Sequence, residues 1–282
     1  MPAHRFRILN VFTRGRERLT GNPLCVFEQG AGLDDATMQA VARQFNLSET
    51  TFILPSSRAA AGVRIFTPSY EMPFAGHPTL GTAHVCRALG LGGDTLRLEM
   101  KAGLIEVEAA GDRWTLTAPD AEVRELDVPR EVLARALGLD AEDIAERPLW
   151  VKAGKEQLIV PLRSLDAVRR TAPAANAMAG IKSEDGIGMA YVFAESGPGK
   201  ALARFFFPSA GAMLEDPATG SATANFGGWC LAMKRPVPLT LEISQGELAG
   251  RPSILHLEIT RERRIRVGGE VIELGGGSIS LD

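Results

Sequence analysis

Short runs of apolar residues with two different spacings follow one another along the first third of the chain. Phe6 to Phe12 and Pro23 to Glu28 are rich in β-branched and aromatic residues, which favours strands. From Asp34 to about Phe45 the apolar residues recur at helical spacing behind an N-capping aspartate, which predicts a helix. Strand character resumes over 50–54 and 63–67. This part of the chain therefore predicts a mixture of helix and strand.

Two later segments are apolar or small on every face and predict buried helices. They run from Pro78 to about Leu89 and from Pro217 to about Met233. Predicted strands flank both segments: 96–117, with two turns, after the first; 190–194 and 203–207 before the second; and 239–243, 254–259 and 265–267 after it. Strands around one buried helix, formed twice, predict an α+β fold of two similar lobes with a cleft between them.

A repeated heptad supports an internal duplication. His77-Pro78-Thr79-Leu80-Gly81-Thr82-Ala83 resembles Asp216-Pro217-Ala218-Thr219-Gly220-Ser221-Ala222, and three further blocks match in the same order at similar offsets. Read as helix starts, the heptads place His77 and Asp216 at equivalent N-cap positions, each followed by proline. We expect an N-terminal lobe over 1–118, completed by 262–282, and a C-terminal lobe over 119–261.

Composition narrows the functional classes. A net charge of −3 provides no basic surface for nucleic acid or anionic membranes, and no run of about 18 apolar residues predicts a membrane span. Three widely spaced cysteines and the lack of a recognisable signal peptide predict a cytoplasmic protein without disulfides. The four histidines show no metal-ligand spacing, so we expect no metal site.

Five motifs together resemble one known family. They are Gly21-Asn22-Pro23, Leu47-Ser48-Glu49-Thr50, Phe74-Ala75-Gly76-His77-Pro78-Thr79, Glu215-Asp216-Pro217-Ala218-Thr219-Gly220-Ser221, and Gln245-Gly246 with Gly250-Arg251-Pro252-Ser253. Their order from N- to C-terminus is similar to that of the PhzF (phenazine biosynthesis-like) family. The resemblance implies a diaminopimelate-epimerase-like fold of two pseudo-symmetric lobes, each a barrel-like sheet around a central helix. It also implies an isomerase that needs no cofactor and forms a homodimer.

The candidate site residues depend on this resemblance. Taken alone, Glu49 is most simply an exposed turn residue, and His77 and Asp216 are helix caps. The resemblance implies that Glu49, His77 and Asp216 are catalytic, with Glu49 the base, and that Gly76, Gly220 and Ser221 bind substrate. A partly buried glutamate has a raised pKa and can take and return a proton near neutral pH.

Racemases of the same fold use two opposed cysteines, one at each helix start. This chain has Gly76-His77 and Glu215-Asp216 at those places, which excludes a two-thiol mechanism. The sequence therefore predicts proton-transfer isomerisation of a small carboxylated metabolite. Two alternatives stay open: a lyase or dehydratase acting on a related acid, and a non-catalytic protein that binds a small acid or a protein partner.

Overall fold

The structure, a computed structural model, describes residues 3–281 and is a mixed α+β fold. The strands are β1 (Ala3–Val11), β2 (Asn22–Phe27), β3 (Glu49–Leu54), β4 (Ala61–Phe66), β5 (Glu71–Met72), β6 (Thr95–Met100), β7 (Gly103–Ala110), β8 (Arg113–Thr117), β9 (Glu122–Glu125), β10 (Leu149–Lys152), β11 (Glu156–Pro161), β12 (Ala190–Gly197), β13 (Lys200–Ser209), β14 (Ala212–Asp216), β15 (Leu239–Gln245), β16 (Ser253–Ile259) and β17 (Ile265–Ser280). The helices are α1 (Asp35–Phe45), α2 (Gly76–Ala88), α3 (Arg130–Leu137), α4 (Leu165–Arg170), α5 (Ala175–Met178) and α6 (Gly220–Ala232). None of these helices is both long and apolar enough to span a membrane.

The chain divides into two compact units. Unit 1 contains the chain up to Thr117 together with the chain from Gly268 onward, and unit 2 contains Ala118–Val267. The predicted crossing lies after residue 118 and the predicted return at residue 262. In the structure the chain returns within β17, whose first three residues belong to unit 2 and whose remainder belongs to unit 1.

The strands of unit 1 close into a barrel. β1 pairs with β2, β2 with β3, β3 with β4, β4 with β6, β6 with β7, β7 with β8, β8 with β17, and β17 with β1. The β2–β3 and β4–β6 pairs are parallel, and β5 adds a short antiparallel pair to β4. A closed barrel leaves none of these eight strands with a free edge.

Helix α2 occupies the centre of this barrel and packs against β1, β2, β3 and β8. Nine of its thirteen residues are buried, which confirms the helix predicted from its lack of a polar face. A buried hydroxyl is costly unless it is hydrogen-bonded. The hydroxyls of Thr51 on β3 and Thr82 on α2, for example, lie 2.8 Å apart.

Helix α1 packs against β3 and β4 of unit 1. The Asp34 side chain accepts a hydrogen bond from the Thr37 N–H at 2.8 Å, which confirms the predicted N-cap. The buried face of α1 packs on a cluster of aromatic residues from the neighbouring strands and the helix itself: Phe6, Phe27, Phe45, Phe52 and Phe66. Met38, Val41 and Ala42 of α1 belong to the same cluster, which forms one part of the unit 1 core.

Unit 2 repeats the strand order of unit 1. β9 pairs with β10, β10 with β11, β11 with β12, β12 with β13, β13 with β15, and β15 with β16, and β14 adds a short pair to β13. The β11–β12 and β13–β15 pairs are parallel, as are β2–β3 and β4–β6 in unit 1. Helix α6 packs against β9, β10, β11 and β16. Helices α3, α4 and α5, which the sequence patterns do not predict, form an apolar core with β11 and β12.

Residues that occupy the same place in the two units are separated by a different number of positions from the two heptads. Phe66 pairs with Glu71 and Phe206 with Glu215, so the second hairpin is four residues longer than the first. The offset between equivalent residues therefore rises from 140 to 144. α2 and α6, each thirteen residues long, begin at Gly76 and Gly220.

The predicted N-cap roles of His77 and Asp216 are therefore wrong. The N-caps are Ala75 and Thr219, and neither makes a side-chain cap. His77 is the second residue of α2 and is equivalent to Ser221, the second residue of α6. Asp216 is the last residue of β14, because hydrogen bonds described below keep residues 216–219 out of the helix. The heptads resemble each other in sequence without occupying the same place in the fold.

Candidate active site

Glu49 lies at the first position of β3, immediately after the turn that follows α1. The helix ends at Asn46, whose left-handed backbone (φ 51°) reverses the chain. β3 then pairs in parallel with β2, with Glu49 beside Leu24. The Glu49 side chain is 15% exposed, so the structure places it in a largely dry environment rather than in the exposed turn that the sequence alone suggested.

His77 meets Glu49 from the first turn of α2. Its Nε2 atom is 3.1 Å from Glu49 Oε2, and its side chain is 7% exposed. Two of the predicted catalytic residues are thus in direct contact within unit 1. Gly76, predicted to bind substrate, is the residue before His77 and the first of the helix.

The imidazole of His77 is neutral. Burial lowers its pKa from 6.5 to about 3, and a hydrogen bond to the backbone of Pro23 opposes this only in part. Proline has no N–H, so the Pro23 carbonyl accepts this bond from the ring. Because Nε2 faces Glu49, the donor is Nδ1–H. Nε2 therefore presents a lone pair to the Glu49 carboxyl, and the contact becomes a hydrogen bond when the carboxyl carries a proton.

In unit 2, Asp216 is held by a buried glutamine. The Asp216 Oδ2 atom accepts a hydrogen bond from the Thr219 hydroxyl at 2.5 Å. Gln245, fully buried at the end of β15, donates to the Asp216 carbonyl at 2.9 Å and to the Thr219 hydroxyl at 3.0 Å, and it accepts from the Thr219 N–H at 3.3 Å. These bonds fix the segment between β14 and α6.

The backbone after Gln245 also supports this segment. Gly246 has a φ of 81°, and a Cβ atom there would lie 2.4 Å from the Pro217 carbonyl oxygen. Only glycine accommodates both the left-handed backbone and the close approach. The Gln245-Gly246 pair is therefore a clamp on the start of α6.

Ser221 is joined to two buried amides. Its Oγ atom accepts a hydrogen bond from Gln157 Nε2 at 3.1 Å, and Gln157 Oε1 accepts one from Asn225 Nδ2 at 2.8 Å. Gly220 precedes Ser221 as the first residue of α6. The first-turn N–H groups of a helix have no intrahelical partner, so this end of α6 carries hydrogen-bond donors.

The cysteines of α2 and α6 take part in none of the contacts described above. Cys86 and Cys230 are buried and free, and burial raises the pKa of each thiol to about 12. Such thiols are protonated at neutral pH, and both cysteines are core residues. Within residues 3–281, no group of three His, Cys, Asp or Glu side chains could hold a metal ion.

The structure places the six predicted site residues in two groups: Glu49, Gly76 and His77 in unit 1, and Asp216, Gly220 and Ser221 in unit 2. Sequence reasoning missed the residues that support them: Pro23, Gln157, Thr219, Asn225 and Gln245. Pro23, Thr219 and Gln245 lie inside the motifs quoted above, which was a usable signal. Gln157 and Asn225 lie in no motif, and only the fold brings them to Ser221.

Comparison with known proteins shows to which family this chain belongs. The family described as "Phenazine biosynthesis-like protein" (PhzC-PhzF) matches residues 9–277. An uncharacterised isomerase of Pasteurella multocida is 38% identical over 99% of this chain and 95% of its own length. A trans-2,3-dihydro-3-hydroxyanthranilate isomerase of Pseudomonas fluorescens is 34% identical over 99% of this chain and 100% of its own length. The crystal structure of a PhzF-family phenazine biosynthesis protein from Bacillus anthracis shares the fold, with a TM-score of 0.88, 23% identity and full coverage of both chains. This chain belongs to the phenazine biosynthesis-like (PhzC-PhzF) family.

Proposed function

We propose that this isomerase moves a proton between two carbon atoms of a small carboxylated metabolite, that Glu49 takes and returns the proton, and that no cofactor takes part. The observation that carries the proposal is the 3.1 Å contact between Glu49 Oε2 and the neutral Nε2 atom of His77. A carboxyl group that holds a proton for part of the reaction is stabilised in that form by a hydrogen-bond acceptor beside it. His77 supplies that acceptor.

The proton transfer proceeds in two steps. Ionised Glu49 removes a proton from a carbon next to a conjugated system, and the electron pair of the broken C–H bond stays on the substrate as a delocalised anion. The resulting carboxylic acid donates its O–H to His77 Nε2, which stabilises the protonated form of Glu49. Glu49 then delivers a proton to a different carbon, where a new C–H bond forms. The product is an isomer of the substrate, and Glu49 is ionised again.

The small exposed fractions of Glu49 and His77 support retention of the proton between the two steps. With side chains 15% and 7% exposed, the pair has little contact with water that could exchange the proton. We therefore propose that a large share of the transferred hydrogen comes from the substrate itself.

The other predicted residues are proposed to hold the substrate. Gly76 and Gly220 begin α2 and α6, and the unpaired N–H groups in the first turns of such helices suit a carboxylate or a developing enolate. Asp216 and Ser221 contribute a carboxylate and a hydroxyl that hydrogen bonds hold in place. The relatives' name makes trans-2,3-dihydro-3-hydroxyanthranilate the first compound to test.

Isotope exchange tests the assignment of Glu49. Candidate acids are incubated in D₂O with the wild type, with Glu49→Gln, and with Glu17→Gln as a control, since Glu17 forms an exposed ion pair with Arg14. We expect isomerisation with partial deuterium incorporation in the wild type and in Glu17→Gln, and a loss of at least about 100-fold in Glu49→Gln. Undiminished exchange in Glu49→Gln removes Glu49 from the mechanism.

Product mass separates the alternatives. An isomer keeps the mass of the substrate, apart from deuterium, whereas a lyase or dehydratase releases CO₂ or water. A compound that raises the melting temperature but is recovered unchanged, with no deuterium, indicates a non-catalytic binding protein.

A further inference from the structure

The amides behind Ser221 form a chain whose orientation is set by the backbone. The Ala153 N–H donates to Asn225 Oδ1 at 2.6 Å, and Asn225 Nδ2 donates to the Lys155 carbonyl at 2.8 Å. A backbone N–H can only donate and a carbonyl can only accept, so the two ends of the Asn225 amide are assigned without ambiguity. Asn225 is fully buried, which keeps this orientation.

The orientation of Asn225 determines that of Gln157. Asn225 Nδ2 donates its second hydrogen to Gln157 Oε1 at 2.8 Å, so the oxygen of Gln157 faces Asn225 and its nitrogen faces Ser221. Gln157 is 3% exposed and therefore has little access to water as another partner. The Ser221 Oγ atom is thus obliged to accept from Gln157 at 3.1 Å.

A hydroxyl that accepts at its oxygen keeps its hydrogen for another acceptor. Among residues 3–281 the structure shows no acceptor for the Ser221 hydroxyl hydrogen, and the helix end around it carries further donors. We propose that Gln157 and Asn225 are positioning residues which make Ser221 a hydrogen-bond donor to an oxygen anion of the substrate. The proposal rests on the proposed function, in which Ser221 contacts substrate.

Unit 1 shows that the fold does not require these amides. By strand register, Gln157 is equivalent to Leu24, and by helix position Asn225 is equivalent to Gly81. Leu24 and Gly81 are in contact, since a Cβ atom on Gly81 would lie 2.5 Å from Leu24 Cδ2. The same place in the fold is therefore filled by an apolar pair in unit 1 and by two hydrogen-bonded amides in unit 2.

This difference favours a functional role for the amides. A buried polar network is costly unless every member is satisfied, and an apolar pair occupies the equivalent place at no such cost. At the second helix position, unit 1 has His77, whose Nε2 is an acceptor, and unit 2 has Ser221, which the amides make a donor. The amide chain thus gives Ser221 the opposite hydrogen-bonding character to that of His77.

A double-mutant cycle tests the proposal. In Gln157→Glu a carboxylate oxygen takes the place of the amide nitrogen, so at a pH where this glutamate is ionised the Ser221 hydroxyl turns inward and donates to residue 157. We expect kcat/KM to fall by about 10- to 100-fold in Gln157→Glu and in Ser221→Ala. The double variant should fall no further than the worse single variant, because both changes remove the same donor. Gln157→Leu, which copies unit 1, frees the hydroxyl to rotate and should cost about 3- to 10-fold.

Losses that multiply in the double variant, or a Gln157→Glu enzyme with wild-type kcat/KM, overturn the proposal. Thermal unfolding of each variant separates these outcomes from loss of folded protein. A neutron crystal structure of the deuterated, ligand-free wild type provides a test that needs no activity. We expect the Ser221 deuteron to point away from Gln157 and two Gln157 deuterons to lie on the nitrogen nearer Ser221. A Ser221 deuteron on the line to Gln157 refutes the proposal even if the isomerase assignment is right, and the expected positions support it even if that assignment fails.

Discussion

The neutral state of His77 leads to a prediction about stability below neutral pH. Burial lowers the pKa of this imidazole in the folded protein from 6.5 to about 3, whereas the unfolded chain keeps the ordinary value. Between these two values, the unfolded state binds a proton at His77 that the folded state does not. Folding stability rises with pH wherever the unfolded state binds more protons. His77 therefore has no effect above pH 6.5 and destabilises the protein increasingly as the pH falls below it.

The size of the effect follows from the two pKa values. Each pH unit below 6.5 costs about 1.4 kcal/mol until the folded-state pKa is approached. At pH 5.5 the loss attributable to His77 is therefore about 1.4 kcal/mol, and at pH 5 it is about 2 kcal/mol.

Comparison with His77→Asn isolates this contribution. Urea unfolding of both proteins at pH 8 and pH 5.5 should show that the wild type loses about 1.4 kcal/mol more than the variant. Burial also lowers the pKa of His84, but this group is present in both proteins and cancels. The same difference should persist in a Glu49→Gln background, because burial, and not Glu49, is the largest cause of the shift.

Two results would refute this reasoning. One is equal loss of stability in the wild type and His77→Asn. The other is a ¹⁵N-histidine NMR signal from His77 that titrates near pH 6.5 in the folded protein, or that shows the proton on Nε2 at neutral pH.

Three further predictions concern packing and assembly. Gly81→Ala should destabilise the protein by about 1 to 3 kcal/mol, because its Cβ would lie 2.5 Å from Leu24 Cδ2, whereas Gly93→Ala, with nothing within 4 Å, should be neutral in the same urea assay. Thr51→Val should cost about 1 to 3 kcal/mol by leaving the Thr82 hydroxyl unpaired, and adding Thr82→Val should cost less than the sum of the single changes. Light scattering should give twice the 30.2 kDa chain mass if the homodimer implied by the family forms, and the single mass would contradict it.

Much of the fold could be predicted because its signals are local. The helix from Asp35 shows an N-cap and a helical apolar stripe in nearby residues, and α2 and α6 lack a polar face, which only burial explains. The sequence does not predict α4 and α5, which have only six and four residues. Helices this short owe their stability to tertiary packing, which a local pattern does not show.

The start of α6 was wrongly placed for the same kind of reason. Asp216 followed by Pro217 has the sequence of a helix start, and local chemistry would allow a helix there. Gln245, far along the chain, bonds to the Asp216 carbonyl and to the Thr219 N–H and hydroxyl, and these bonds are incompatible with a helix that begins at Pro217. A contact between residues so far apart in the sequence produces no periodicity or spacing from which it could be predicted.

For the catalytic candidates, too, local motifs indicate the residues, whereas their contacts depend on parts of the chain that are distant in sequence. Glu49 and His77 were proposed from motifs, but neither motif indicates that the side chains meet, or that the Pro23 carbonyl fixes which ring nitrogen carries the proton. Those properties depend on the parallel register of β2 and β3 and on the position of α2 inside the barrel. The sequence thus supplies candidate residues, and the structure adds which of them meet and which ring nitrogen of His77 carries the proton.

The corrected equivalence changes the meaning of the duplication for the chemistry. A proton-transfer isomerase needs a group that gains a proton and donors that stabilise the negative charge left behind. Unit 1 places Glu49 against an acceptor, His77 Nε2, whereas unit 2 places Ser221 against a donor, Gln157. His77 and Ser221 are equivalent residues of α2 and α6, so the same helix position meets different partners in the two copies. Under the proposed function, Glu49 beside the start of α2 takes the proton, and Ser221 at the start of α6 donates to the anion.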